Sequence, residues 1–529
     1  MRLLPIIACA LGLALVGARA ADPSRPARRV VVVVFDGMRP DFVTPELTPH
    51  LWRLASGGTF FAHHHPVFVC ATEVNGTALG TGSYPARSSV IANTEFRPAI
   101  DPQQAVAIQA LATIRRGDEA SGGRFLGAPT VAELLHLQGM RTVIAGSKPV
   151  ALLLDRATRA DNPDSSPVLF EGSALPAGAF EAVLRAEGPF PPISAAQDKQ
   201  ARDRWTTRAL IGPLWGGGVP AYTVLWLAEP DFSQHATGPG SRQSLAAIKS
   251  SDANLGLVLA ELDRRGLRGS TDVLVVSDHG FTTVGAKVDV AVDLSTAGFH
   301  AARAALGGLR PGAVLVVGQG GSSLIYVGAD DPEVCRRLAA YIQVQDWCGV
   351  VFSRQPWEGT FPLAAAHLDS PQAPDLIVSL RWVPGSSKTG APGLQTSDLA
   401  PTSKEVGSHA SLSPYDMHNI LIAAGPDIRT GVTDTLPSGN TDLAPTILWI
   451  LGLQGEALRE DGRVLSEALR MEAPALKSYE LKRLTARRQT AGGAWNQYLQ
   501  VSEVNGVRYL DEGNGAFTVG ASVPADEYP

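Results

Sequence analysis

Short apolar runs rich in valine and isoleucine recur along the chain between segments with helical spacing. They span Val30–Phe35, Thr142–Gly146, Tyr222–Glu229, Asp272–Ser277 and Asn419–Gly425. Runs of this length without polar alternation are typical of strands buried on both faces, which occur in mainly parallel sheets covered by helices. The pattern therefore predicts an α/β fold.

Amphipathic segments between these runs supply the covering helices. Thr130 and Glu133 have the spacing of a capping box at a helix start. Residues Ser241–Arg265 carry leucine, isoleucine and valine at helical intervals, which predicts a long helix with one buried face. We expect helices on both faces of the sheet.

The pattern changes from about Phe281 to Pro401, where glycine and proline clusters interrupt it. A hairpin around Gln319-Gly320-Gly321 and a helix over Pro332–Ile342 predict an inserted α+β cap subdomain. Lys477–Pro529 predicts a helix and a terminal hairpin. The expected organisation is a leader (1–20), a catalytic core in two parts (21–280 and 401–455), the inserted cap subdomain (281–400) and a C-terminal extension (456–529).

The N-terminus combines a basic start at Arg2, an apolar run over Leu3–Val16 and the small-x-small triplet Ala18-Arg19-Ala20. This pattern predicts a secretory signal peptide cleaved near Ala20, and hence a periplasmic or secreted protein. A lipoprotein box ending at Cys9 is a weaker alternative, because the apolar run before it is short. No later apolar run approaches the ~20 residues of a membrane span.

Composition limits the classes of partner. The chain has 529 residues, 45% of them hydrophobic and 18% charged, and a formal net charge of −6 that becomes about −8 without Arg2 and Arg19. This acidic balance predicts no nucleic-acid-binding surface, so an anionic partner must be bound by local charge. An exported protein can form a disulfide, for which Cys335 and Cys348 are the favoured pair and Cys70 a buried small residue.

Acidic and histidine side chains stand next to four of the apolar runs. Because ligands bind at the carboxyl ends of strands in open parallel sheets, residues far apart in the sequence can converge there. The set comprises Asp36, Asp231, His235, Asp278, His279 and His409.

Three carboxylates and three imidazoles packed together need a cation, and no lysine or arginine lies among them. With the hydroxyl of Thr72 they offer seven ligands, more than one tetrahedral zinc ion accepts. Two ions therefore fit better than one. Mixed nitrogen and oxygen donors favour zinc, with manganese or iron as alternatives.

Thr72 lies among small residues in the stretch "VCATEVNGTALG", with no base beside it. A hydroxyl becomes a nucleophile only with a neighbouring base or a metal ion. The short residues that follow predict a helix N-terminus, whose dipole would favour an anion.

These motifs resemble the alkaline phosphatase superfamily and, within it, the type I phosphodiesterase/nucleotide pyrophosphatase branch. The resemblance covers Val30–Gly146, Tyr222–Phe281 and His409–Leu453, and includes the stretches "EPDFSQHATGP" and "TDLAPTILWILGL". It implies two zinc ions: Asp36, Thr72, Asp278 and His279 match the ligands of one, and Asp231, His235 and His409 those of the other.

The resemblance also implies a reaction on a small-molecule phosphoester. Zinc-bound Thr72 would attack phosphorus in line and form a covalent phosphothreonine, and Asn93, 21 residues further on, matches the asparagine that binds a phosphoryl oxygen. Sulfatases of the same superfamily use Cys-x-Pro/Ala-x-Arg, but Cys70 is followed by Ala71-Thr72-Glu73-Val74, which excludes that chemistry.

Substrate charge leaves an alternative open. Some monoesterase relatives carry a Lys-x-Arg pair for the extra charge of a terminal phosphate, and here Lys148 matches the lysine while Val150 stands at the arginine position. We expect a phosphodiesterase or nucleotide pyrophosphatase with Lys148 binding substrate, the alternative being a phosphomonoesterase or phosphonate hydrolase. A catalytically silent metal-binding protein is disfavoured by the intact Thr72. The sequence predicts neither the leaving group nor the oligomeric state.

Overall fold

A computed structural model describes residues 28–157, 165–192, 199–476 and 478–520. Its strands are β1 (Arg29–Phe35), β2 (Thr59–Phe61), β3 (His64–His65), β4 (Thr94–Glu95), β5 (Val106–Ala107), β6 (Thr142–Gly146), β7 (Val168–Phe170), β8 (Ser173–Leu175), β9 (Tyr222–Leu227), β10 (Thr271–Val276), β11 (Thr282–Val288), β12 (His300–Ala302), β13 (Ala313–Gly318), β14 (Ser322–Val327), β15 (Cys348–Ser353), β16 (Phe361–Pro362), β17 (Leu376–Leu380), β18 (Trp382–Ser386), β19 (Pro392–Asp398), β20 (Gly407–Ser408), β21 (Leu421–Ala424), β22 (Val432–Asp434), β23 (Ser438–Gly439), β24 (Tyr479–Thr490), β25 (Gly493–Val504) and β26 (Val507–Val519). Its α-helices are α1 (Pro49–Gly57), α2 (Thr72–Thr81), α3 (Pro85–Ser88), α4 (Leu111–Ser121), α5 (Val131–Leu137), α6 (Ala177–Glu187), α7 (Gln200–Ala209), α8 (Asp231–Thr237), α9 (Arg242–Arg264), α10 (Val290–Thr296), α11 (Pro332–Ile342), α12 (Leu443–Ile450) and α13 (Gln454–Ala457).

The largest sheet has nine strands in the order β22-β2-β21-β10-β1-β9-β6-β7-β8. Strands β10, β1, β9, β6 and β7 run parallel, whereas β21 and β8 pair antiparallel with their neighbours in this parallel set. The four apolar runs that adjoin the candidate residues therefore lie in or directly beside one parallel core. The predicted α/β class with a mainly parallel sheet is confirmed.

The central strand β1 shows why the apolar runs are uninterrupted. Val30, Val32 and Val34 pack in a core on one face of the sheet, and Val31, Val33 and Phe35 pack in a separate core on the other. A strand buried on both faces has no position where a polar side chain would reach water. Helices cover both faces, as expected.

The predicted helices are present with small shifts in their ends. Thr130 and Glu133 form the capping box of α5. The side chain of Ser241 caps α9 by accepting a hydrogen bond from the N–H of Ser244. The predicted helix at Pro332–Ile342 is α11.

The inserted region contains two further sheets. Strands β13 and β14 form the predicted hairpin, within a six-stranded sheet ordered β12-β13-β14-β17-β15-β16. A four-stranded sheet, β18-β19-β11-β20, joins this region to the segment before His409. The extra sheet-rich part thus adjoins the edge at which the candidate residues lie.

The C-terminal region agrees with its prediction only in part. Residues 478–520 contain three long antiparallel strands, β24-β25-β26. The predicted terminal hairpin is present as β25 and β26, whereas the predicted helix is wrong. Strand β24 is largely exposed, so its charged residues hide the alternation that marks a strand. Strand β25 is anchored by Trp495, whose Nε1–H donates to the carbonyl of Gly359 at 3.0 Å.

The expected Cys335–Cys348 disulfide is not formed, and the three cysteines of the described residues are free and buried. Cys335 lies on α11 and Cys348 begins β15, and both pack in the same apolar core. Burial raises the pKa of the Cys335 thiol to about 12, which keeps it protonated.

The predicted signal peptide lies outside the described residues. Within the part of the chain that the structure describes, no helix is long and apolar enough to cross a membrane.

Candidate metal centre and active site

The candidate site lies at the carboxyl edge of the central sheet. Strands β10, β1, β9 and β6 are neighbours in that order and run parallel. Each is followed within a few residues by a charged side chain of the site, in the order Asp278, Asp36, Asp231 and Lys148. Parallel pairing therefore brings together four groups from four separate parts of the chain.

Thr72 is the first residue of α2 and is buried, so the predicted helix N-terminus is confirmed. Its Oγ1 lies 3.5 Å from Nε2 of His279 and 3.4 Å from Nζ of Lys148. The hydroxyl therefore points at the group of charged side chains, with the positive end of the helix dipole behind it.

The three histidines of the candidate site share one hydrogen-bonding arrangement. In each ring Nδ1–H donates to a backbone carbonyl: His235 to Gly407 at 3.1 Å, His279 to Gly280 at 2.8 Å, and His409 to Cys70 at 2.9 Å. A carbonyl can only accept, so Nδ1 carries the proton and Nε2 of the neutral ring carries a lone pair. This is the usual arrangement of metal-binding histidines.

Those lone pairs face carboxylate oxygens. Nε2 of His235 lies 3.3 Å and Nε2 of His409 3.8 Å from Oδ1 of Asp231. Nε2 of His279 lies 3.7 Å from Oδ1 of Asp36 and 3.3 Å from Oδ2 of Asp278. These same three carboxylate oxygens are buried and have no hydrogen-bond partner among the described residues.

The pKa shifts follow from this crowding. Burial, with the charge of Asp278, raises the pKa of Asp36 well above its usual value. Burial also raises the pKa of Asp278 to about 7. Burial would raise the pKa of Asp231 too, but Lys148 and His235 outweigh it and hold the pKa well below the ordinary range. Burial next to two other rings lowers the pKa of His409.

Histidine lone pairs that face carboxylate oxygens without hydrogen-bond partners are stable only when a cation lies between them. Two groups of side chains bring their ligand atoms within 4.8 Å of one another: Asp231, His235 and His409 in one, and Asp36, Asp231 and His279 in the other. Three carboxylates outnumber the single ammonium of Lys148, so divalent ions fit the charge. The site thus contains candidate metal-binding groups, and the assignment of each predicted ligand stays a prediction.

Asn93 lies beside the N-terminus of α2. Its Oδ1 accepts a hydrogen bond from the backbone N–H of Glu73 at 2.9 Å, which fixes the orientation of the amide. Its Nδ2 has no hydrogen-bond acceptor within the part of the chain that the structure describes, so it can donate to another group. This geometry suits the predicted binding of a phosphoryl oxygen.

Lys148 lies inside the group of carboxylates, so the expectation that no lysine or arginine lies among them is wrong. Its Nζ donates to Oδ2 of Asp36 at 2.9 Å and to Oδ2 of Asp231 at 3.0 Å, so the ammonium bridges both. Val150 does not accompany it, because its side chain is fully buried against α2. A Cβ added to Gly76 would lie 2.5 Å from Val150 Cγ2. The side chain at position 150 therefore enters the apolar core and not the charged site.

Two hydrogen bonds that support the site carboxylates were not predicted from the sequence. The indole Nε1–H of Trp226, on β9, donates to Oδ2 of Asp36 at 2.7 Å. The side-chain amide of Asn440 donates to the backbone carbonyl of Asp278 at 2.8 Å. The only sequence signal for Trp226 is an N–H donor within an otherwise apolar strand, and such a donor needs a buried acceptor.

The fold and the site together define a member of the alkaline phosphatase superfamily. A sequence profile of the type I phosphodiesterase / nucleotide pyrophosphatase family matches residues 30–409. The chain belongs to that family, which is part of this superfamily.

Curated relatives match over about half of their length. The chain is 22% identical over 261 residues to bis(5'-adenosyl)-triphosphatase enpp4 of Mus musculus, which covers 49% of this chain and 48% of that protein. It is 23% identical over 275 residues to ectonucleotide pyrophosphatase/phosphodiesterase family member 7 of Mus musculus, covering 51% of this chain and 54% of that protein.

Solved structures show the same fold. Murine ectonucleotide pyrophosphatase/phosphodiesterase 5 matches with a TM-score of 0.57 and 18% identity, over 80% of this chain and 95% of that one. The same murine protein, as an inactive threonine-to-alanine variant in complex with AMP, matches with a TM-score of 0.56. At this identity the likeness supports the fold alone.

Proposed function

We propose that this protein is an exported, two-zinc phosphodiesterase or nucleotide pyrophosphatase that acts through a covalent phosphothreonine. The observation that carries the proposal is the position of the Thr72 hydroxyl. It lies at a helix N-terminus, 3.5 Å from a histidine lone pair and beside three buried carboxylates whose free oxygens lack partners.

The residues that would hold the ions are those predicted from the sequence, and the distances between them support this assignment. Asp231, His235 and His409 form one set, and Asp36, Asp278 and His279 with the Thr72 hydroxyl form the other; Asp231 also lies close enough to contribute to the second set. When bound, divalent ions supply the charge that lowers the pKa of the Thr72 hydroxyl and neutralises the phosphoryl oxygens.

In the proposed reaction Oγ1 of Thr72 attacks phosphorus in line. The Thr72 O–P bond forms as the bond to the leaving oxygen breaks, and water then hydrolyses the threonine ester and releases the phosphoryl group. Asn93 donates from Nδ2 to a phosphoryl oxygen, because the N–H of Glu73 holds its Oδ1 in the opposite direction. Lys148 adds a positive charge beside the attacking oxygen.

The names of relatives favour a nucleotide substrate. One curated relative is a bis(5'-adenosyl)-triphosphatase, and a structural neighbour was solved in complex with AMP. Both point to a substrate in which phosphorus links a nucleoside to a leaving group. Export rests on the N-terminal pattern, and Edman sequencing of the mature protein should start near Ala21.

A phosphomonoesterase is the second candidate, and one observation favours it. Nζ of Lys148 lies 3.4 Å from Oγ1 of Thr72, where it could pair with the extra charge of a terminal phosphate. The relative kcat/KM on a diester and its matching monoester decides between the two.

Substitution of Thr72 tests the central proposal. Thr72→Ala should remove most turnover of an aryl phosphodiester while the protein keeps its fold and most of its zinc, because six other ligands remain. Thr72→Ser preserves the hydroxyl and should keep part of the rate. Mass spectrometry of acid-quenched wild-type enzyme should find the substrate's phosphoryl group on the peptide that contains Thr72.

Metal content is measured on the same samples. We expect about two zinc ions per chain and loss of activity on chelation that added zinc restores. Near-normal rates in Thr72→Ala would refute the covalent route, and full activity with a single ion per chain would refute the two-ion site.

A further inference from the structure

A second lysine lies next to the candidate site. The ring of Phe232, which follows Asp231 on α8, has Nζ of Lys148 5.1 Å from its centroid and Nζ of Lys199 3.5 Å from it. Added together, these two distances limit the separation of the ammonium nitrogens to 8.6 Å. Both cations therefore lie around one aromatic ring at the rim of the site.

The charge of Lys199 is not neutralised by a direct ion pair. Glu171 and Glu229 are the carboxylates that face it, but Glu171 pairs with Arg202 at 3.3 Å, and Glu229 accepts the N–H of Ser233 at 3.0 Å. No carboxylate of the described residues lies within 4.0 Å of Nζ of Lys199. Its ammonium rests on the Phe232 ring and is partly exposed, so it is available to a ligand.

The two lysines differ in what they can reach. Lys148 is buried and bridges Asp36 and Asp231 beside the Thr72 hydroxyl, so it lies at the phosphorus under attack. Lys199 lies over the ring of Phe232 and is more exposed than Lys148. In-line displacement places the leaving group on the side of phosphorus opposite Thr72. Asp231, the residue before Phe232, belongs to both metal groups, whereas His235, one turn further along the same helix, belongs only to the group with His409, which includes no residue that Thr72 contacts.

We propose that Lys199 binds the first anionic group of the leaving group, so that the enzyme selects phosphoric anhydrides over esters with an uncharged leaving group. The inference rests on the proposed function and adds the chemistry of the leaving group to it. Because the two ammonium nitrogens are at most 8.6 Å apart, both can reach a diphosphate, whose two phosphorus atoms are linked by one oxygen. Both ammonium groups make cation–π contacts with the Phe232 ring.

The test uses two substrates that transfer the same group. Thymidine triphosphate and the p-nitrophenyl ester of TMP both transfer TMP, but the leaving groups are diphosphate and nitrophenol. Lys199→Ala should lower kcat/KM for the triphosphate by about tenfold, the value of one charge-assisted hydrogen bond, and change that for the ester by less than about twofold. Lys199→Arg should keep most of the preference.

Two controls accompany it. Lys249→Ala removes an exposed lysine of α9 and should leave both rates unchanged. The preference of the wild type for the triphosphate should fall with ionic strength, and this dependence should be weaker in Lys199→Ala.

Binding provides a readout that needs no turnover. In the Thr72→Ala background with zinc bound, Lys199→Ala should weaken the binding of thymidine triphosphate by about tenfold in calorimetry and leave TMP unchanged. If wild-type enzyme hydrolyses neither substrate, the proposed function fails, and this binding difference alone decides the role of Lys199.

Two results would overturn the proposal. An equal loss on both substrates would mean that Lys199 only positions Phe232 and Asp231. Unchanged kinetics and unchanged triphosphate binding would mean that the leaving group does not reach Lys199.

Discussion

Lys148 gives the most direct test of how the site handles substrate charge. The substitution is Lys148→Met, which keeps the length and apolar stem of the side chain and removes its charge. In the structure Nζ contacts Thr72 Oγ1 at 3.4 Å and bridges Asp36 and Asp231. A monoester carries nearly one more negative charge on its transferred group than a diester does.

The expected magnitude follows from Coulomb's law. A phosphoryl group on Thr72 would place its oxygens about 5 Å from Nζ, where a unit charge pair at an effective dielectric constant of ~20 is worth ~3 kcal/mol. Asp36 and Asp231 offset part of the ammonium charge, so we take about half of this value, ~1.5 kcal/mol. Lys148→Met should therefore lower kcat/KM for a monoester roughly tenfold more than for the matching diester.

The assay compares p-nitrophenyl phosphate with bis(p-nitrophenyl) phosphate on the same enzyme preparation, with zinc measured in each sample. Zinc content matters because Lys148 contacts two candidate ligands, and its loss could change metal binding. Lys249→Met serves as the control at an exposed position. Equal losses on both substrates at equal zinc content would refute the reasoning, since they would show that Lys148 does not sense the extra charge.

Two further substitutions test the packing around the site. Trp226→Phe keeps an aromatic ring and removes the 2.7 Å hydrogen bond to Asp36. Zinc affinity, measured by competition titration with a chelator, should therefore fall about tenfold. Trp215, whose indole donates to Thr223 elsewhere in the core, is the control, and Trp215→Phe should not change the zinc affinity. Val150→Arg would bury a charge against α2 and should lower the free energy of unfolding by more than ~4 kcal/mol, seen as loss of soluble protein. Val150→Ala is the control and should fold. A soluble, stable Val150→Arg variant with increased monoesterase activity would contradict the observed burial.

The sequence was sufficient for the elements whose signal is local. The valine run of β1 has no polar position, and only a strand covered on both faces satisfies such a run. The capping box of α5 and the hairpin of β13 and β14 depend on neighbouring residues and were predicted correctly. At the C-terminus the predicted hairpin is formed by β25 and β26, but the first strand, β24, was not predicted, because it is exposed and its charged side chains obscure the period of two.

The candidate site shows the same division. Acidic residues at the ends of parallel strands must share one edge of the sheet, so the convergence of Asp36, Asp231 and Asp278 was already implied by the order of strands and residues. The side chains that contact these carboxylates were not implied by the sequence. The bridge from Lys148, the indole of Trp226 and the position of Lys199 over Phe232 depend on side-chain packing between distant segments.

The buried strands of the core and their ends are thus determined by the sequence alone, because a run of residues with no polar position has to be covered on both faces. Which nitrogen of each histidine faces the carboxylates was decided by the backbone carbonyls that fold around the rings. Val150 and Lys148 are two residues apart, yet one enters the apolar core and the other the charged site. The packing of α2 against the sheet gives the two side chains these different environments, and the pattern of residues along the chain does not predict that packing.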